Sequence, residues 1–310
     1  MNIQPISFSA KQRFKYTKPR VKCDSNITHP TLEKALARYE EQELIKSAKA
    51  VAPTIKKASQ DVRNRVPEII KEAKLIQDSA DDLFEKIETT AAYNTYFNDR
   101  NSRFGKMLSL YPDELKFNGK LFDVTIYPDK KIIAVEKTNG IASKISADVG
   151  LNKGEVIEYS AKDIYEFDVQ TGELTYFAQG HKKEGYVTSI EKEFKFINGK
   201  LDEYNEGVAK GQFNLILQAF KFNTIGTTEV LDSFSSMKRQ TWNKDISDRF
   251  FKFNNNGTLK SFARAFEEDT NHRVRGELYY TFDQNGNLTR AKKDFTGGIL
   301  YYNERSICID

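Results

Sequence analysis

The sequence predicts an α+β protein. An N-terminal amphipathic helical segment of two or three helices precedes a large antiparallel β-sheet of repeated hairpins, which curls into an open trough or half-barrel. All 17 glycines lie from Gly105 onward, and all seven prolines lie at or before Pro128. A seven-residue apolar pattern runs through the glycine-free part, and an aromatic motif recurs in the glycine-rich part. The predicted boundaries are 1–29 for a basic irregular arm, 30–100 for a helical hairpin or coiled coil, and 105–310 for the sheet.

Composition excludes several classes of protein. The 310 residues can bury a substantial core. No stretch approaches the roughly 18 consecutive apolar residues of a membrane-spanning helix, so we expect no transmembrane segment. Cys23 and Cys308 cannot form a disulfide framework or a four-cysteine zinc site, and two free thiols are expected. A net charge of +4 over this length does not indicate a class of partner.

The N-terminal arm is basic, with no acidic residue before Asp24. Its cations would neutralise phosphates and its two rings would stack on bases, so one hypothesis is binding to nucleic acid or another acidic partner. The alternatives are a solvated tail and an edge strand. Residues 1–10 lack the apolar core of a signal peptide, so a cytoplasmic protein is expected, with export by another route left open. The residues of this hypothesis are Lys11, Arg13, Phe14, Lys15, Tyr16, Lys18, Arg20 and Lys22.

Helix is expected from Pro30, because proline suits the first helical turn. Pro53 and Pro67 each remove a backbone hydrogen bond, so kinks or breaks are expected there, giving two or three helices over about residues 31–94. Three interpretations of this apolar stripe stay open. It packs on its own protein, it forms an intermolecular coiled coil that supports a weak homodimer, or it lies on a membrane surface. The apolar residues follow spacings of three and four: Leu44, Ala48, Val51, Ile55, Ala58, Val62, Val66, Ile69, Ala73, Ile76, Ala80, Leu83 and Ile87.

The second half repeats one motif, in which two aromatic residues separated by one residue precede a glycine and usually a leucine. Aromatic residues at i and i+2 lie on one face of a strand, and the Asn, Asp and Gly residues that follow suit a hairpin turn. The glycines of successive copies are 27, 27, 31 and 29 residues apart, which indicates a repeated hairpin. The copies are Tyr165–Phe167 with Gly172 and Leu174, Phe194–Phe196 with Gly199 and Leu201, Phe220–Phe222 with Gly226, Phe251–Phe253 with Gly257 and Leu259, and Tyr280–Phe282 with Gly286 and Leu288.

One copy has a familiar form. The segment from Tyr280 to Thr289, YTFDQNGNLT, resembles the YD repeats of the Rhs and teneurin families, which read tyrosine–x–tyrosine–aspartate–x–x–glycine–x–leucine. The resemblance covers the motif over about half of the chain and implies an antiparallel hairpin array rather than a toxin-encapsulating shell. The sequence departs from the family pattern in its longer period and in the phenylalanine that replaces the second tyrosine.

Motifs of catalysis are absent from the sequence, which contains no nucleophile elbow, phosphate loop or dinucleotide-binding glycine pattern. No catalytic residue, cofactor or metal ligand is therefore predicted. His29, His181 and His272 are too far apart to suggest a metal site. Trp242 is a candidate binding anchor, with the plug of a loop as the alternative.

These observations favour a non-catalytic interaction or structural protein that presents an extended β-sheet surface, with a protein as the expected partner. The alternatives are an enzyme whose site lies in the curl of the sheet and, from the YD-like motif, a surface or secreted effector fragment.

Overall fold

The computed structural model describes residues 30–90, 108–110, 115–127, 131–137, 163–297 and 307–308. The chain divides into two compact units, residues 1–40 and 41–310, and the second contains the sheet. The elements are α1 (Pro30–Glu88), β1 (Leu108–Leu110), β2 (Lys116–Phe117), β3 (Lys120–Tyr127), β4 (Lys131–Glu136), β5 (Asp163–Asp168), β6 (Leu174–Gln179), β7 (Lys182–Glu184), β8 (Val187–Ile197), β9 (Lys200–Lys210), β10 (Asn214–Ile225), β11 (Thr228–Gln240), β12 (Lys244–Phe253), β13 (Leu259–Asp269), β14 (Val274–Phe282), β15 (Leu288–Gly297) and β16 (Ile307–Cys308).

One helix takes the place of the two or three that were predicted. α1 contains 59 residues and continues through Pro53 and Pro67, so the expected breaks were wrong. Both prolines are exposed on the outer side of the helix, where water can satisfy the backbone carbonyls that lose their partners. Burial of the inner side offsets the lost hydrogen bonds. No helix among the described residues has the length and hydropathy that crossing a membrane requires.

The predicted large antiparallel sheet is confirmed. Fourteen strands follow one another in the order β1-β3-β4-β5-β6-β8-β9-β10-β11-β12-β13-β14-β15-β16, while β2 pairs with β3 and β7 with β8. Each strand in this order is hydrogen-bonded to the strand before it. The sheet is therefore a succession of antiparallel hairpins. Among the described strands, β1 and β16 occupy the two ends of the order, and the sheet is not closed.

Five hairpins share one irregularity next to their turns. In each, the second aromatic residue of the motif lies opposite the leucine of the returning strand, and one residue of that strand is skipped. A bulge of this kind increases the local twist and bends the strand. The residues skipped are Thr175, Asp202, Asp232, Lys260 and Thr289.

One row of buried aromatic residues crosses nine strands that are neighbours in the sheet order, β5, β6 and β8 to β14. Each ring lies directly opposite the next in the strand register, and neighbouring ring centroids are 4.7 to 6.2 Å apart. We call this row the aromatic ladder. It consists of Tyr165, Phe177, Phe194, Tyr204, Phe220, Phe234, Phe251, Phe262 and Tyr280.

α1 lies across this ladder. Its buried residues Ala48, Ala52, Ile55, Ile69, Ala73, Ala80, Leu83 and Ile87 belong to the same core cluster as the ladder rings. The predicted apolar stripe therefore packs against the chain's own sheet. The helix of a second copy cannot bind to the same side. Val51 is an exception to the predicted seam: it is 41% exposed, and the adjacent Ala52 is buried instead.

The spacing of the helix contacts matches the spacing of the hairpins. Phe84 packs against Phe167 and the turn at Gly172. Gln77 donates a hydrogen bond to the Gly199 carbonyl at 2.9 Å, and Arg63 donates one to the Gly257 carbonyl at 2.8 Å.

Further along the helix, Lys56 lies beside Gly286. Seven residues of helix thus correspond to one hairpin. Physical dimensions permit this match, because seven helical residues rise about 10.5 Å and two adjacent strands span about 9.6 Å.

Candidate functional site

The hairpins expose large aromatic residues at the end of the sheet opposite to the five motif turns. Tyr186 in the β7–β8 turn is 94% exposed, Trp242 in the β11–β12 turn is 91% exposed, and Phe213 in the β9–β10 turn is 47% exposed. We call these three residues the aromatic tips. Val187, Leu217 and Met237 are also exposed near them. Single exposed apolar residues are ordinary, whereas several on neighbouring hairpins indicate an interaction surface.

The three turns are neighbours in the sheet. At Gly211, an added Cβ would lie 3.6 Å from Cγ2 of Val187, which places the β9–β10 turn beside the β7–β8 turn. On the other side, the Arg239 guanidinium carbon lies 5.2 Å from the centroid of the Phe213 ring. The tips therefore form one row along the end of the sheet, with neighbouring hairpins about 10 Å apart.

Local hydrogen bonds hold the turn that presents Trp242. The Thr241 hydroxyl contacts the Asn243 side-chain oxygen at 3.1 Å and the Lys244 carbonyl at 3.0 Å. The Thr241 amide also donates to the Lys244 carbonyl, at 2.9 Å. These bonds satisfy the turn without the indole, which projects into solvent. An indole that is 91% exposed does not plug a loop, as the alternative interpretation required, and the role of Trp242 as a binding anchor stays a prediction.

Charge around the tips is positive and only partly compensated. Lys238 pairs with Asp245 at 2.8 Å, and Lys244 pairs with Glu267 at 3.4 Å. Within the described part of the chain, Lys183 and Arg239 have no acidic partner. The row therefore combines exposed rings with cations that remain free to contact an acidic group.

A buried ionic cluster lies at the base of the tips. The Glu193 carboxylate is 2% exposed and accepts hydrogen bonds from the Tyr176 hydroxyl at 3.0 Å and from the Asn205 amide at 2.9 Å. Lys210, the last residue before the β9–β10 turn, forms an ion pair with it. Lys210 also lies 5.5 Å from the centroid of the Tyr176 ring. The cluster ties three strands together beneath the turns.

The pKa values in this cluster follow from burial and charge. Burial disfavours the Glu193 carboxylate, but the Lys210 charge and the hydrogen bonds from Lys210 and Asn205 outweigh it, so the pKa of Glu193 lies below its usual value. Burial, followed by the Glu193 charge, raises the pKa of Tyr176. Burial and the nearby Lys210 charge lower the pKa of His181, whose buried Nδ1 has no partner among the described residues.

Removal of Lys210 should destabilise the protein in a pH-dependent way. We expect Lys210→Met to lower the free energy of unfolding by about 3 kcal/mol at neutral pH, because it leaves a carboxylate buried without its cation. The lowered pKa means that Glu193 stabilises the fold above its ordinary pKa of about 4.3 and loses that contribution as the pH falls further. Urea unfolding at several pH values should therefore show the difference from wild type shrinking on acidification.

Lys238→Met is the matched control, because it breaks the more exposed pair with Asp245. That pair is expected to contribute less than about 1 kcal/mol. Equal losses from the two substitutions, or a Lys210→Met effect that does not change with pH, would contradict the role assigned to Glu193.

A second feature, the turn-end groove, lies at the other end of the sheet. It has a volume of about 420 Å³ and is lined by Asp232, Lys252, Phe253, Asn254, Asn255, Asn256, Lys260 and Gln284. Its lining comes from the strands and turns of three consecutive hairpins. None of the lining residues was identified as a site from the sequence.

The other predicted site residues have separate outcomes. The arm from Lys11 to Lys22 and Cys23 lie outside the described residues, and the hypotheses on them stay predictions. The described residues contain no group of histidine, cysteine and acidic residues that could hold a metal ion.

Of the three aromatic tips, Trp242 was predicted from the sequence, whereas Tyr186 and Phe213 were not. A local signal was present: Tyr186 directly follows Gly185, and Phe213 comes two residues after Gly211. Aromatic residues within such glycine-marked turns lie at the ends of hairpins, where the strand alternation does not bury them.

Comparisons with known proteins do not assign the chain to a family. No family model and no curated protein matches it. A crystal structure of TarM is 17% identical over 35% of this chain and 19% of that chain, with a TM-score of 0.21. An S. aureus TarM mutant in complex with fondaparinux, alpha-GlcNAc-glycerol and UDP is 15% identical over 36% of this chain and 21% of that chain, with the same TM-score. The matches span about a fifth of each TarM chain, and TM-scores this low carry no argument.

Proposed function

We propose that this chain is a non-catalytic interaction protein, built from repeated β-hairpins, that binds a protein partner through the aromatic tips. The observation that carries the proposal is the near-complete exposure of Tyr186 and Trp242 on neighbouring hairpins. The long strands and the Glu193 cluster supply a rigid base for the tips. A rigid scaffold with exposed anchors lowers the entropic cost of association.

The residue types of the row favour a protein partner. Tryptophan, tyrosine and arginine dominate the binding energy of protein–protein interfaces, and the row contains Trp242, Tyr186 and Arg239. The row also contains Phe213 and Met237, and phenylalanine and methionine are residue types that are enriched at interfaces as well. Since Lys183 and Arg239 have no acidic partner among the described residues, the complementary surface should be apolar at its centre and acidic at its rim.

The sheet supports the proposal in a second way. Among the described residues, α1 is the only helix and all strands belong to one sheet order, so no second layer covers the face opposite to the helix. That face offers an extended surface next to the tips. Its curl into a trough or half-barrel is part of the proposal, as is the kinship of its hairpins to YD-type repeats.

The test compares affinity capture from a cell extract by wild type, by Tyr186→Ser/Trp242→Ser and by Leu75→Ser. Leu75 is 60% exposed on the outer side of α1 and serves as the matched control. We expect one set of proteins to be retained by wild type and by the control and lost by the tip variant. Retention of the same proteins by all three would overturn the proposal.

Trp242 also provides an optical readout, because it is the sole tryptophan of the chain. Addition of a captured and purified partner should shift the fluorescence emission to shorter wavelength as the indole leaves water. An unchanged emission with a bound partner would place the interface elsewhere. If self-association at high protein concentration is the event that shifts the emission, the occupant of the tips is a second copy instead.

The alternative of an enzyme has no specific support in this geometry. Asp232 is the one carboxylate among the described residues that line the turn-end groove, and it is already paired with Lys252. The cytoplasmic location, the effector alternative and binding of nucleic acid by the arm remain predictions of the sequence.

A further inference from the structure

The bulges beside the motif turns organise a series of ion pairs. The skipped residue of one hairpin lies beside the middle residue of the aromatic–x–aromatic motif in the next hairpin. Asp202 and Lys221 are 4.0 Å apart in the first such pair, and Asp232 and Lys252 are 2.5 Å apart in the second. In both pairs the bulge supplies the acid and the next strand supplies the lysine.

The series breaks at the following hairpin. There the skipped residue is Lys260, and the corresponding middle residue is Thr281. Lys260 is exposed and has no acidic partner within the described residues. The break lies in the turn-end groove, because Asp232, Lys252 and Lys260 all line it. Its described lining has one acid and two lysines, which leaves one positive charge uncompensated among these residues.

Unused hydrogen-bond donors surround this charge. The Asn256 side-chain oxygen accepts from the Thr258 amide at 3.0 Å and from its hydroxyl at 2.7 Å. The Asn256 side-chain nitrogen donates to none of the residues that the structure describes. The side chains of Asn255 and Gln284 have no hydrogen-bond partner in the described part of the chain. Asp232 offers little competition, since it accepts from Lys252 and from Asn223.

We propose that the turn-end groove binds an oxyanion group, a carboxylate, sulfate or phosphate, carried by a small polar molecule. Lys260 supplies the charge, and the amides of Asn255, Asn256 and Gln284 supply hydrogen bonds to the oxygens. Phe253 is 3% exposed and forms an apolar base. The volume lies within the range of small-molecule sites. This proposal is independent of the partner proposed for the aromatic tips.

The experiment is an NMR titration of the full chain labelled with ¹⁵N, using inorganic phosphate, sulfate, citrate and neutral glucose at constant ionic strength. We expect saturable shifts of the Asn255, Asn256 and Gln284 side-chain amides with at least one of the three anions and none with glucose. The anion that binds most tightly identifies which oxyanion the groove prefers. Absence of saturable shifts with all three anions would overturn the proposal.

Substitutions separate the groove from general attraction to positive charge. Lys260→Gln should weaken anion binding about tenfold, as expected for the loss of one charged hydrogen bond. Lys71→Gln is the control, because Lys71 is an exposed lysine on the outer side of α1. Equal weakening by both variants would show charge screening alone and would overturn the site. The tip variant should bind the anion normally, so that failure of one proposal leaves the other standing.

Discussion

Phe220→Ala is expected to lower the free energy of unfolding by about 4 kcal/mol. The Phe220 ring is 1% exposed in the middle of the aromatic ladder, with the rings of Tyr204 and Phe234 at 5.6 and 4.8 Å. Arg65 of α1 also lies over it, at 5.1 Å from the ring centroid. Truncation therefore leaves a cavity between helix and sheet that neither layer can fill. Denaturant unfolding followed by circular dichroism measures the loss.

Phe213→Ala is the matched control, since the same chemical change is made at an aromatic tip. It should cost less than about 1 kcal/mol, the value of a partly exposed ring and its contact with Arg239. Similar losses at the two positions would mean that the ladder is not the principal core of the protein.

Deletions within α1 should affect stability according to their length. Removal of residues 61–67 shifts the N-terminal part of the helix by one seven-residue step, which turns it by only about 20° and brings it to the neighbouring hairpin. Removal of residues 61–65 turns it by about 140°, so that Ala52 and Ile55 leave the sheet. We expect the shorter deletion to be less stable than the longer one by about 3 kcal/mol.

The comparison measures unfolding of both variants in urea under identical conditions. The deletion of residues 61–67 removes more of the helix than the deletion of residues 61–65, yet it is expected to be the more stable of the two. If stability simply decreases with the number of residues removed, the match between seven-residue steps and hairpins is not what holds α1 on the sheet.

The helix illustrates what the sequence can predict about this fold. The spacing of three and four residues correctly identified Ala48, Ile55, Ile69, Ala73, Ala80, Leu83 and Ile87 as buried. It could not reveal what covers them, because a seven-residue pattern is also the signature of a coiled coil. Here the pattern arises from the width of two strands. The breaks predicted at the two prolines were wrong, because a helix tolerates a proline on its exposed side. Which side is exposed depends on which side of the helix contacts the sheet.

Four of the nine rings of the aromatic ladder were not predicted from the motif. The motif contains Tyr165, Phe194, Phe220, Phe251 and Tyr280, but the rings between them are on the returning strands. They occur three residues after each motif leucine or its equivalent, as in Leu201 and Tyr204 or Leu259 and Phe262. The bulge explains this spacing of three residues. Residues three apart in a regular strand lie on opposite faces, but the skipped residue places the leucine and the ring on the same face.

The candidate sites were predicted less well than the core. Trp242 stood out because it is a single tryptophan in a polar segment. The turn-end groove had no such signal, because its residues read as ordinary turn chemistry. Its character depends on which hairpin lies beside which, and on the missing acid next to Lys260. Only the register of the strands supplies that information.

The match between helix and hairpins also sets an order of events while the chain is being synthesised. The helix leaves the ribosome before the strands of the sheet, with its apolar side uncovered. The first motif hairpin meets Phe84 near the end of α1, and each later hairpin docks one step closer to the N-terminus. Gly199 follows its hydrogen-bond donor Gln77 by 122 residues in the sequence, and Gly257 follows its donor Arg63 by 194 residues. At about 5–20 residues per second, a new hairpin arrives every few seconds. We therefore expect the hairpins of the nascent chain to pack on α1 in sequence, from the C-terminal end of the helix towards its N-terminal end.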